Sequence, residues 1–290
     1  MKIDLHSHSN CSDGKESVST VFAEAKRAGV DVLALTDHDT THGWAEAAVA
    51  AKNEGIGFIP GIEISTRVHL PDTSFGMHML AYLPDPNHPA LKFALEEVVI
   101  GREKRLQAIV ELVSADYDIN WQDVLDELEE GATAGRPAVA DALIKKGHFT
   151  HRDEVFEKIW ESSRKYSMPN REVPDTMDAI DLIRAAGGVP IIAHPLARGK
   201  RPPKEFGFPL KHYEAMIERG LAGFEAWHRD VEQDSRDWLI NLAKKHDLII
   251  TGSSDYHGIQ GKPNRLGENT TSDEMLQRIL KQGTGTKAHL

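Results

Sequence analysis

The fold is decided near the start of the chain, in residues 2–38, KIDLHSHSNCSDGKESVSTVFAEAKRAGVDVLALTDH. This stretch contains two β-rich segments, residues 2–9 and 30–38, and the second is almost continuously apolar, as in a strand that is buried on both faces. Between them, apolar residues recur at helical spacing from Val18 to Ala28, and Gly29 is placed to end that helix. Two strands joined by a helix predict a βαβ unit.

The alternation of strands and helices stops once and then resumes. Prolines at 84, 86 and 89 mark the change, and only helical patterns occur from about residue 91 to residue 171. Further strands are predicted on both sides of this segment, over residues 57–65, 76–83, 189–195, 223–228 and 248–257. About seven parallel strands imply a barrel-like α/β core. We therefore predict barrel segments at residues 1–83 and 176–290, a helical insertion at residues 84–175, and a frayed tail, GTGTKAHL.

The composition argues against several classes of protein. Acidic residues outnumber basic ones 45 to 34 among 290 residues, which gives a net charge of −11 and argues against binding of duplex DNA. The single cysteine, Cys11, allows no intrachain disulfide, so a reducing cytoplasm is the expected compartment. The amino terminus has no apolar leader, and no stretch reaches the ~18 apolar residues of a membrane span. We therefore expect no membrane partner.

Histidines and carboxylates occur at or near the carboxyl ends of the predicted strands, the edge that forms the active-site face of a parallel barrel. They are His6, His8, Asp37, His38, Glu63, His78, His194, Asp255 and His257, and Asp13 lies in the loop just beyond His8. A single histidine at a strand end is more often a hydrogen-bonded core residue, but six histidines with three carboxylates favour a metal centre. Ligands of this type suit Mn, Fe or Zn, and they are numerous enough for two or three ions.

Five blocks, in order, resemble the signature motifs of the PHP (polymerase and histidinol phosphatase) superfamily. They are HSHSNCSDG at residues 6–14, TDHD at 36–39, GIEIS at 61–65, AHP at 193–195 and SSDYHG at 253–258. Within the superfamily the chain is most similar to the bacterial phosphoesterases related to 3',5'-nucleoside bisphosphate phosphatase and to the 5'-to-3' exoribonuclease ribonuclease AM. The resemblance implies an α/β fold, a PHP-type distorted (β/α)7 barrel with a helical insertion.

The resemblance also implies a trinuclear centre, most often described with Mn(II). One ion would be held by His6, His8, Glu63 and Asp255, a second by Asp13, His38 and His257, and a third by Glu63, His78 and His194. Glu63 would bridge ions. Such a centre lowers the pKa of a bound water and stabilises the charge on phosphoryl oxygens. Catalytic roles would fall to Glu63, Asp255, His194 and Arg136.

Two residues outside this ligand set have alternative interpretations. Asp37 either orients a ligand histidine from the second shell or caps the helix near Gly43. Arg136 lies in GRPA, which resembles a phosphate-facing GRPH block of these phosphoesterases, and its guanidinium suits bidentate phosphate contact. The histidine of that block is Ala138 here, so another group must replace it if it acts on substrate.

Candidate substrate contacts are less specific. His228 and His151 are possible replacements for the missing histidine, and either is otherwise an ordinary loop residue. The segment ARGKRPPK, residues 197–204, contains Arg198, Lys200, Arg201 and Lys204 and no acid. It is either a solvated loop or a site for a second phosphate. Three tryptophans, Trp44, Trp160 and Trp227, are available to stack on a base.

These observations predict a metal-dependent phosphoesterase acting on a small phosphorylated substrate. The expected reactions are removal of the 3'-phosphate from a 3',5'-nucleoside bisphosphate and 5'-to-3' trimming of short oligonucleotides. The alternatives are a histidinol-phosphate phosphatase, which the insertion and the GRP block disfavour, and a non-catalytic PHP module, which would be expected to have lost ligands.

Overall fold

The computed structural model describes residues 1–70, 73–128, 132–162, 165–168, 172–197, 199 and 210–290. Seven strands form one sheet in which each strand lies beside its neighbours in sequence. The strands are β1 (Ile3–Asp4), β2 (Val32–Leu35), β3 (Gly57–Leu70), β4 (Thr73–Tyr82), β5 (Val189–Ile192), β6 (Gly223–Trp227) and β7 (Ile249–Gly252). An isolated parallel bridge between Ser7 and Tyr256 brings the two ends of the sheet together. The result is a nearly closed barrel, as predicted.

Helices connect the strands and form the insertion. They are α1 (Val18–Arg27), α2 (Trp44–Glu54), α3 (Pro89–Val113), α4 (Trp121–Leu125), α5 (Arg136–Lys145), α6 (Arg152–Val155), α7 (Thr176–Ala185), α8 (Leu210–Arg219), α9 (Gln233–Lys245) and α10 (Asp273–Gln282), and a π-helical turn, Phe156–Glu161, follows α6 directly. Ser17 caps the start of α1, since its side chain accepts a hydrogen bond from the Thr20 N–H, and Gly29, with φ of 72°, follows the end of the helix. The predicted βαβ unit is therefore present.

The prediction that all strands are parallel was wrong for β4. Strand β4 pairs antiparallel with both β3 and β5, whereas the other neighbouring pairs are parallel. Only residues 71 and 72 separate β3 from β4. A parallel pair needs a crossover of a dozen or more residues, so strands this close in sequence form a hairpin. The hairpin is also longer than predicted, because β3 continues to Leu70.

The helices between β4 and α7 have a hydrophobic core of their own. Its buried members come from residues 106–166, and they include Leu106 of α3, Val139 of α5 and Trp160 of the π-helical turn. Barrel side chains such as Ile62, Ile192 and Phe224 belong to a different cluster. This separation supports the predicted insertion, and its boundaries at residues 84 and 175 stay a prediction.

The tail packs against the barrel, so the prediction that it frays was wrong. His289 N–H donates to the Phe58 carbonyl (2.9 Å), and the two rings stack with centroids 5.6 Å apart. Thr286 N–H donates to the Leu83 carbonyl (3.0 Å). Backbone hydrogen bonds thus anchor a stretch whose composition alone suggests disorder. Among the residues that the structure describes, no helix combines the length and apolar character needed to cross a bilayer.

Candidate metal centre

The predicted ligands converge at one end of the barrel. His6 and His8 follow β1, and alternate residues of an extended segment point to the same side. A parallel bridge pairs His38, just after β2, with Glu63 in β3. His194 and Asp255 follow β5 and β7 with φ of 28° and 53°, a left-handed turn that aims each side chain back over the barrel.

His78 reaches the same place by a different route. The sequence placed it near the carboxyl end of its strand, but it lies in the middle of β4, opposite Ser65 of β3. Because β4 runs antiparallel to β3, its amino-terminal half faces the end of the barrel where the neighbouring strands present their ligands. The prediction of position was wrong, and His78 nevertheless joins the cluster.

Glu63 lies at the middle of the centre, with its side chain 1% exposed. Its Oε1 is 2.7 Å from His78 Nδ1 and 3.0 Å from His194 Nε2. Its Oε2 is 3.1 Å from the Nε2 atoms of both His6 and His8 and 3.3 Å from His38 Nδ1. The two oxygens therefore face different sets of histidines, an arrangement in which one carboxylate can bridge two ions.

His6, His8, Glu63 and Asp255 form one possible metal-binding group. Asp255 Oδ1 lies 3.6 Å from His6 Nε2 and 3.4 Å from His8 Nε2. The two Nε2 atoms are 3.0 Å apart. His6 donates from Nδ1 to Glu225, so Nε2 is the nitrogen that faces this group. Burial lowers the pKa of His6, but Glu225 and Glu63 outweigh it and hold that pKa well above its usual range, so Nε2 must lose a proton before it can bind a metal.

His8, Asp13, His38 and His257 form a second group. Asp13 Oδ1 and His257 Nε2 lie 3.2 Å apart, yet both are buried without a hydrogen-bond partner among the described residues. His257 donates from Nδ1 to the Asp255 carbonyl (2.8 Å), so its Nε2 lone pair faces Asp13. Two acceptors that face each other in a buried site are costly unless a cation lies between them. This donor set therefore fits a divalent ion.

The charges of the cluster are strongly coupled. Burial raises the pKa of the Glu63 carboxyl, but His38, His78 and His6 outweigh it and hold that pKa well below its usual range. Burial lowers the pKa of His8, but hydrogen bonds to Asp255 and Glu63 reverse this and raise the pKa to about 9. Burial also lowers the pKa of the His257 ring, which favours its neutral, ligating form. Metal binding must therefore displace a proton from His8 at neutral pH.

Glu225 is a residue of the site that the sequence did not predict. Its fully buried carboxylate accepts from His6 Nδ1 (3.0 Å), from the backbone N–H of His194 (2.9 Å) and from Ser253 Oγ. Burial raises the pKa of Glu225, but His6 outweighs this and brings the pKa to about 2. With His6 and His194 it forms a third possible metal-binding group. The available signal was a glutamate in the middle of the otherwise apolar strand GFEAW.

Two further carboxylates hold the loops around the centre. Asp37 accepts from the Ser9 N–H (2.8 Å) and from the hydroxyls of Ser9 and Ser12 (2.7 Å each). These contacts are to the loop after His8, whereas α2 has Gly43 at its N-cap position and no side-chain cap. A second-shell role for Asp37 stays a prediction. Asp39 accepts from the Ser65 N–H (2.6 Å) and from Arg102 of α3, so it joins the barrel to the insertion.

The candidate substrate contacts lie at different places. His228 is 1% exposed, accepts the Asp230 N–H at Nδ1 (3.1 Å) and places Nε2 3.5 Å from Asp255 Oδ2, so it borders the cluster. His151 is exposed at the start of α6. Arg136 begins α5 with its guanidinium carbon 5.6 Å from the ring centroids of Phe156 and Trp160. Arg198, Lys200, Arg201 and Lys204 lie outside the described residues.

The barrel and its cluster define a class of protein. Within the described part of the chain, four overlapping groups of histidines and carboxylates lie at the ligand-presenting end of an α/β barrel, and these are the features of a metal-dependent hydrolase. The chain belongs to the PHP domain family, whose model matches residues 4–169.

Several relatives of this chain are enzymes that act on phosphate esters. The chain is 33% identical over 264 residues to a 5'-3' exoribonuclease of Haemophilus influenzae, covering 88% of this chain and 90% of the relative. It is 33% identical over 291 residues to a 3',5'-nucleoside bisphosphate phosphatase of Chromobacterium violaceum, covering 96% and 94%. The crystal structure of a chain assigned as a metal-dependent phosphoesterase from Bifidobacterium adolescentis superposes with a TM-score of 0.89 at 37% identity, covering 97% and 96%. The predicted family, fold and enzyme class, a metal-dependent phosphoesterase that uses divalent ions, are confirmed.

Proposed function

We propose that this phosphoesterase removes the 3'-phosphate from 3',5'-nucleoside bisphosphates and trims short oligonucleotides from their 5' end, with three Mn(II) ions bound. The observation that supports the three-ion centre best is the position of Glu63, whose two oxygens face different histidines. The relatives named above support the substrate class, because they act on a nucleotide and on RNA.

The ligand sets are those that the family motifs imply, and the distances are compatible with them. His6, His8, Glu63 and Asp255 would hold the first ion, and His38 with Asp13 and His257 would hold the second. Glu63 with His78 and His194 would hold the third, since both histidines lie within 3.0 Å of Glu63 Oε1. The third set is the most open, since the His78 and His194 side chains are 38% and 23% exposed. The phosphate approaches from this exposed side. Fe or Zn would also suit ligands of this kind.

When bound, the ions supply a water of lowered pKa and positive charge for the phosphoryl oxygens. The protein residues set the geometry around them. Glu225 keeps His6 in the correct tautomer and fixes the His194 backbone. Lys262 donates to Asp255 Oδ2 (2.9 Å) and is 31% exposed, so it adds positive charge at the mouth of the centre. These positive groups let an acidic protein attract an anionic substrate.

Groups further from the centre recognise the rest of the substrate. Arg136 contacts a phosphate through its planar guanidinium, and His228 borders the site beside Asp255. Of the three candidate tryptophans, Trp227 is the most exposed, at 42%, and lies next to His228; the Arg236 guanidinium carbon is 4.9 Å from its ring centroid, so a base would stack on the opposite face of the ring. Trp160 is 8% exposed within the core of the insertion. Arg198 with Lys200 and Arg201 binds a second phosphate.

Phosphate release from a substrate panel tests this function. The panel contains a 3',5'-adenosine bisphosphate, a 5'-nucleoside monophosphate, a 5'-phosphorylated RNA of about five nucleotides, histidinol phosphate and p-nitrophenyl phosphate. We expect the bisphosphate and the RNA to give the highest kcat/KM, and Glu63→Gln to be inactive on every substrate. A preference for histidinol phosphate would replace the proposal with the alternative, and activity on none of them would contradict it.

A variant of the basic segment, residues 197–204, tests whether that segment recognises a phosphate other than the one that is hydrolysed. Neutralising Arg198, Lys200 and Arg201 together should lower kcat/KM for the bisphosphate and the RNA, because these substrates present a further phosphate. Hydrolysis of p-nitrophenyl phosphate, which has only the reacting phosphate, should be retained and serves as the control. An equal loss on all substrates, or no loss, would assign the second-phosphate site elsewhere.

A further inference from the structure

The loop between His8 and α1 is held by the insertion as well as by the barrel. Arg152 of α6 donates from Nη1 to the Asp13 carbonyl (3.3 Å), and the Thr133 N–H donates to the Cys11 carbonyl (3.1 Å). Gly14 allows the loop to turn back tightly, since a side chain there would lie 2.7 Å from the His8 carbonyl oxygen. The position of Asp13, a ligand of the second metal-binding group, therefore depends on residues of the insertion.

Asp141 of α5 organises these contacts. Its carboxylate, 8% exposed, accepts from Lys15 Nζ at Oδ2 (2.5 Å) and from Arg152 at both oxygens, Nε to Oδ1 (2.8 Å) and Nη2 to Oδ2 (2.5 Å). The two-pronged contact fixes the plane of the Arg152 guanidinium, and the free Nη1 then points at the Asp13 carbonyl. One acidic side chain thus binds two cations, and one of them, Arg152, also donates to the Asp13 carbonyl.

Asp141 is also linked to a second predicted ligand, His257. Lys15 N–H donates to the carbonyl of His257 (2.9 Å), and His257 Nε2 lies 3.2 Å from Asp13 Oδ1. Asp141 is therefore linked to Asp13 through Arg152 and to His257 through Lys15. By contrast, Glu63 belongs to β3, where its backbone N–H and carbonyl are bonded to Thr36 (3.0 Å) and Asp39 (3.1 Å) of the barrel.

A cavity of about 200 Å³ lies between these elements. Its walls include Asp13 and Lys15 of the loop, Ala138 and Asp141 of α5, and Arg152 of α6. A group that enters this cavity touches a metal ligand and its anchor at once.

We propose that Asp141 is a positioning residue that controls occupancy of one metal site, the second of the three, formed by Asp13, His38 and His257. It acts through Arg152 and Lys15, which hold Asp13 and His257 at the distance that an ion needs. The insertion thereby determines whether the centre holds its full set of ions, whereas the ions at Glu63 depend on the barrel. This inference rests on the proposed metal centre.

Metal stoichiometry tests the inference. Wild type, Asp141→Asn and the matched control Asp116→Asn are stripped with chelator, dialysed against a series of Mn(II) concentrations and analysed for bound manganese. Asp116 is a suitable control because it accepts from Lys165 (2.5 Å) and Tyr166 (2.6 Å) within the insertion. We expect three ions in wild type and Asp116→Asn. In Asp141→Asn we expect two ions to bind as in wild type and the third to bind about tenfold or more weakly.

Further variants separate positioning from folding. The melting temperature of each metal-free protein reports the fold, and Asp141→Glu, which keeps the charge, should recover part of the third-site affinity. Should Asp141→Asn fail to fold, Arg152→Gln, which leaves Asp141 paired with Lys15, should show the same selective loss. Three ions with wild-type affinity in folded Asp141→Asn would overturn the inference, as would equal weakening of all ions at an unchanged melting temperature. Absence of manganese from wild type would instead overturn the proposed function.

Discussion

Glu63 and Asp13, carboxylates on two sides of the proposed metal centre, are held in different ways. Glu63 is a residue of a barrel strand, 1% exposed, with five histidine nitrogens within 3.3 Å of its oxygens. Asp13 lies in a loop, 13% exposed, and its backbone carbonyl is bound by Arg152 of the insertion. The difference teaches that the sheet positions the shared carboxylate directly, whereas the loop carboxylate needs a second structural unit.

Removing the charge of Glu63 should produce the largest effect. Glu63→Gln leaves a side chain of the same shape but cannot neutralise two adjacent cations, so bound ions repel. We expect kcat on a 3',5'-bisphosphate to fall about 10³-fold or more, corresponding to about 4 kcal/mol or more. Phosphate release measures the loss.

The metal-free melting temperature is the control for Glu63→Gln. It should fall moderately, because the histidines that hold the Glu63 pKa well below its usual range make the ionised carboxylate a stabilising group in the metal-free fold. A single cooperative unfolding transition shows that the variant still folds. Near-wild-type turnover in Glu63→Gln would show that the bridging ligand is assigned to the wrong residue.

On the insertion side, Arg136→Ala should have the next largest effect. If the guanidinium contacts phosphate, kcat/KM should fall because a hydrogen bond to a charged group is lost. The loss corresponds to about 1.5–3 kcal/mol of transition-state stabilisation. The number of bound Mn(II) ions should stay the same, since Arg136 is not among the proposed ligands. Ala138→His is the matched variant on the same helix turn, and a gain in activity there would show that this chain has a weakened phosphate site. Unchanged kinetics in Arg136→Ala would show that Arg136 does not contact the substrate and has only a structural role in the insertion.

Glu225→Gln tests the ligands that the barrel positions, as opposed to Asp13, which the insertion helps to position. An amide can still accept from His6 Nδ1, but it loses the negative charge that raises the basicity of that histidine. We expect metal affinity or activity to fall about 10–100-fold, the range for partners that orient ligands. Equilibrium dialysis with Mn(II) measures it. Weaker binding at the group containing His6, with the Asp13 group unchanged, is the expected pattern, and the reverse pattern would contradict the account.

Many residues of this site could be predicted from the sequence because they occur in short motifs with fixed spacing. HSH and DYH place two ligands two residues apart, and an extended backbone turns that spacing into a shared direction. His38 and Glu63 followed from the rule that strand ends share an edge of the barrel. The family motifs then supplied the ligand sets.

The features that sequence reasoning missed depend on tertiary contacts. The direction of β4 follows from a hairpin whose two strands both looked like barrel strands. Glu225 lies in the middle of β6 and becomes informative only once His6 and His194 are seen beside it. Asp141 and Arg152 are ordinary helical residues by pattern, and their role arises from contacts over 126 and 139 residues of sequence. The order of the tail was missed because its partners, Phe58 and Leu83, are distant in sequence.

The last effect, which needs no substitution and is about tenfold per pH unit, is a pH dependence of metal uptake. In the metal-free protein the pKa of His8 is about 9, so its ring is protonated at neutral pH and must lose that proton to bind an ion. The apparent affinity for Mn(II) should therefore rise with pH, by about tenfold per unit between pH 6 and 8 from this proton alone, and level off near pH 9. Calorimetric titration in buffers of different ionisation enthalpy counts the released protons. An affinity independent of pH would show that His8 is already neutral.

The central claim is that one shared cluster of histidines and carboxylates on the barrel makes this protein a phosphoesterase. The most direct test strips the protein with chelator, returns Mn(II) in steps and follows phosphate release from a 3',5'-nucleoside bisphosphate at each step. The account predicts no activity in the stripped protein and full activity once two to three equivalents are bound. Activity that persists without divalent ions, or that no divalent ion restores to folded protein, would contradict it.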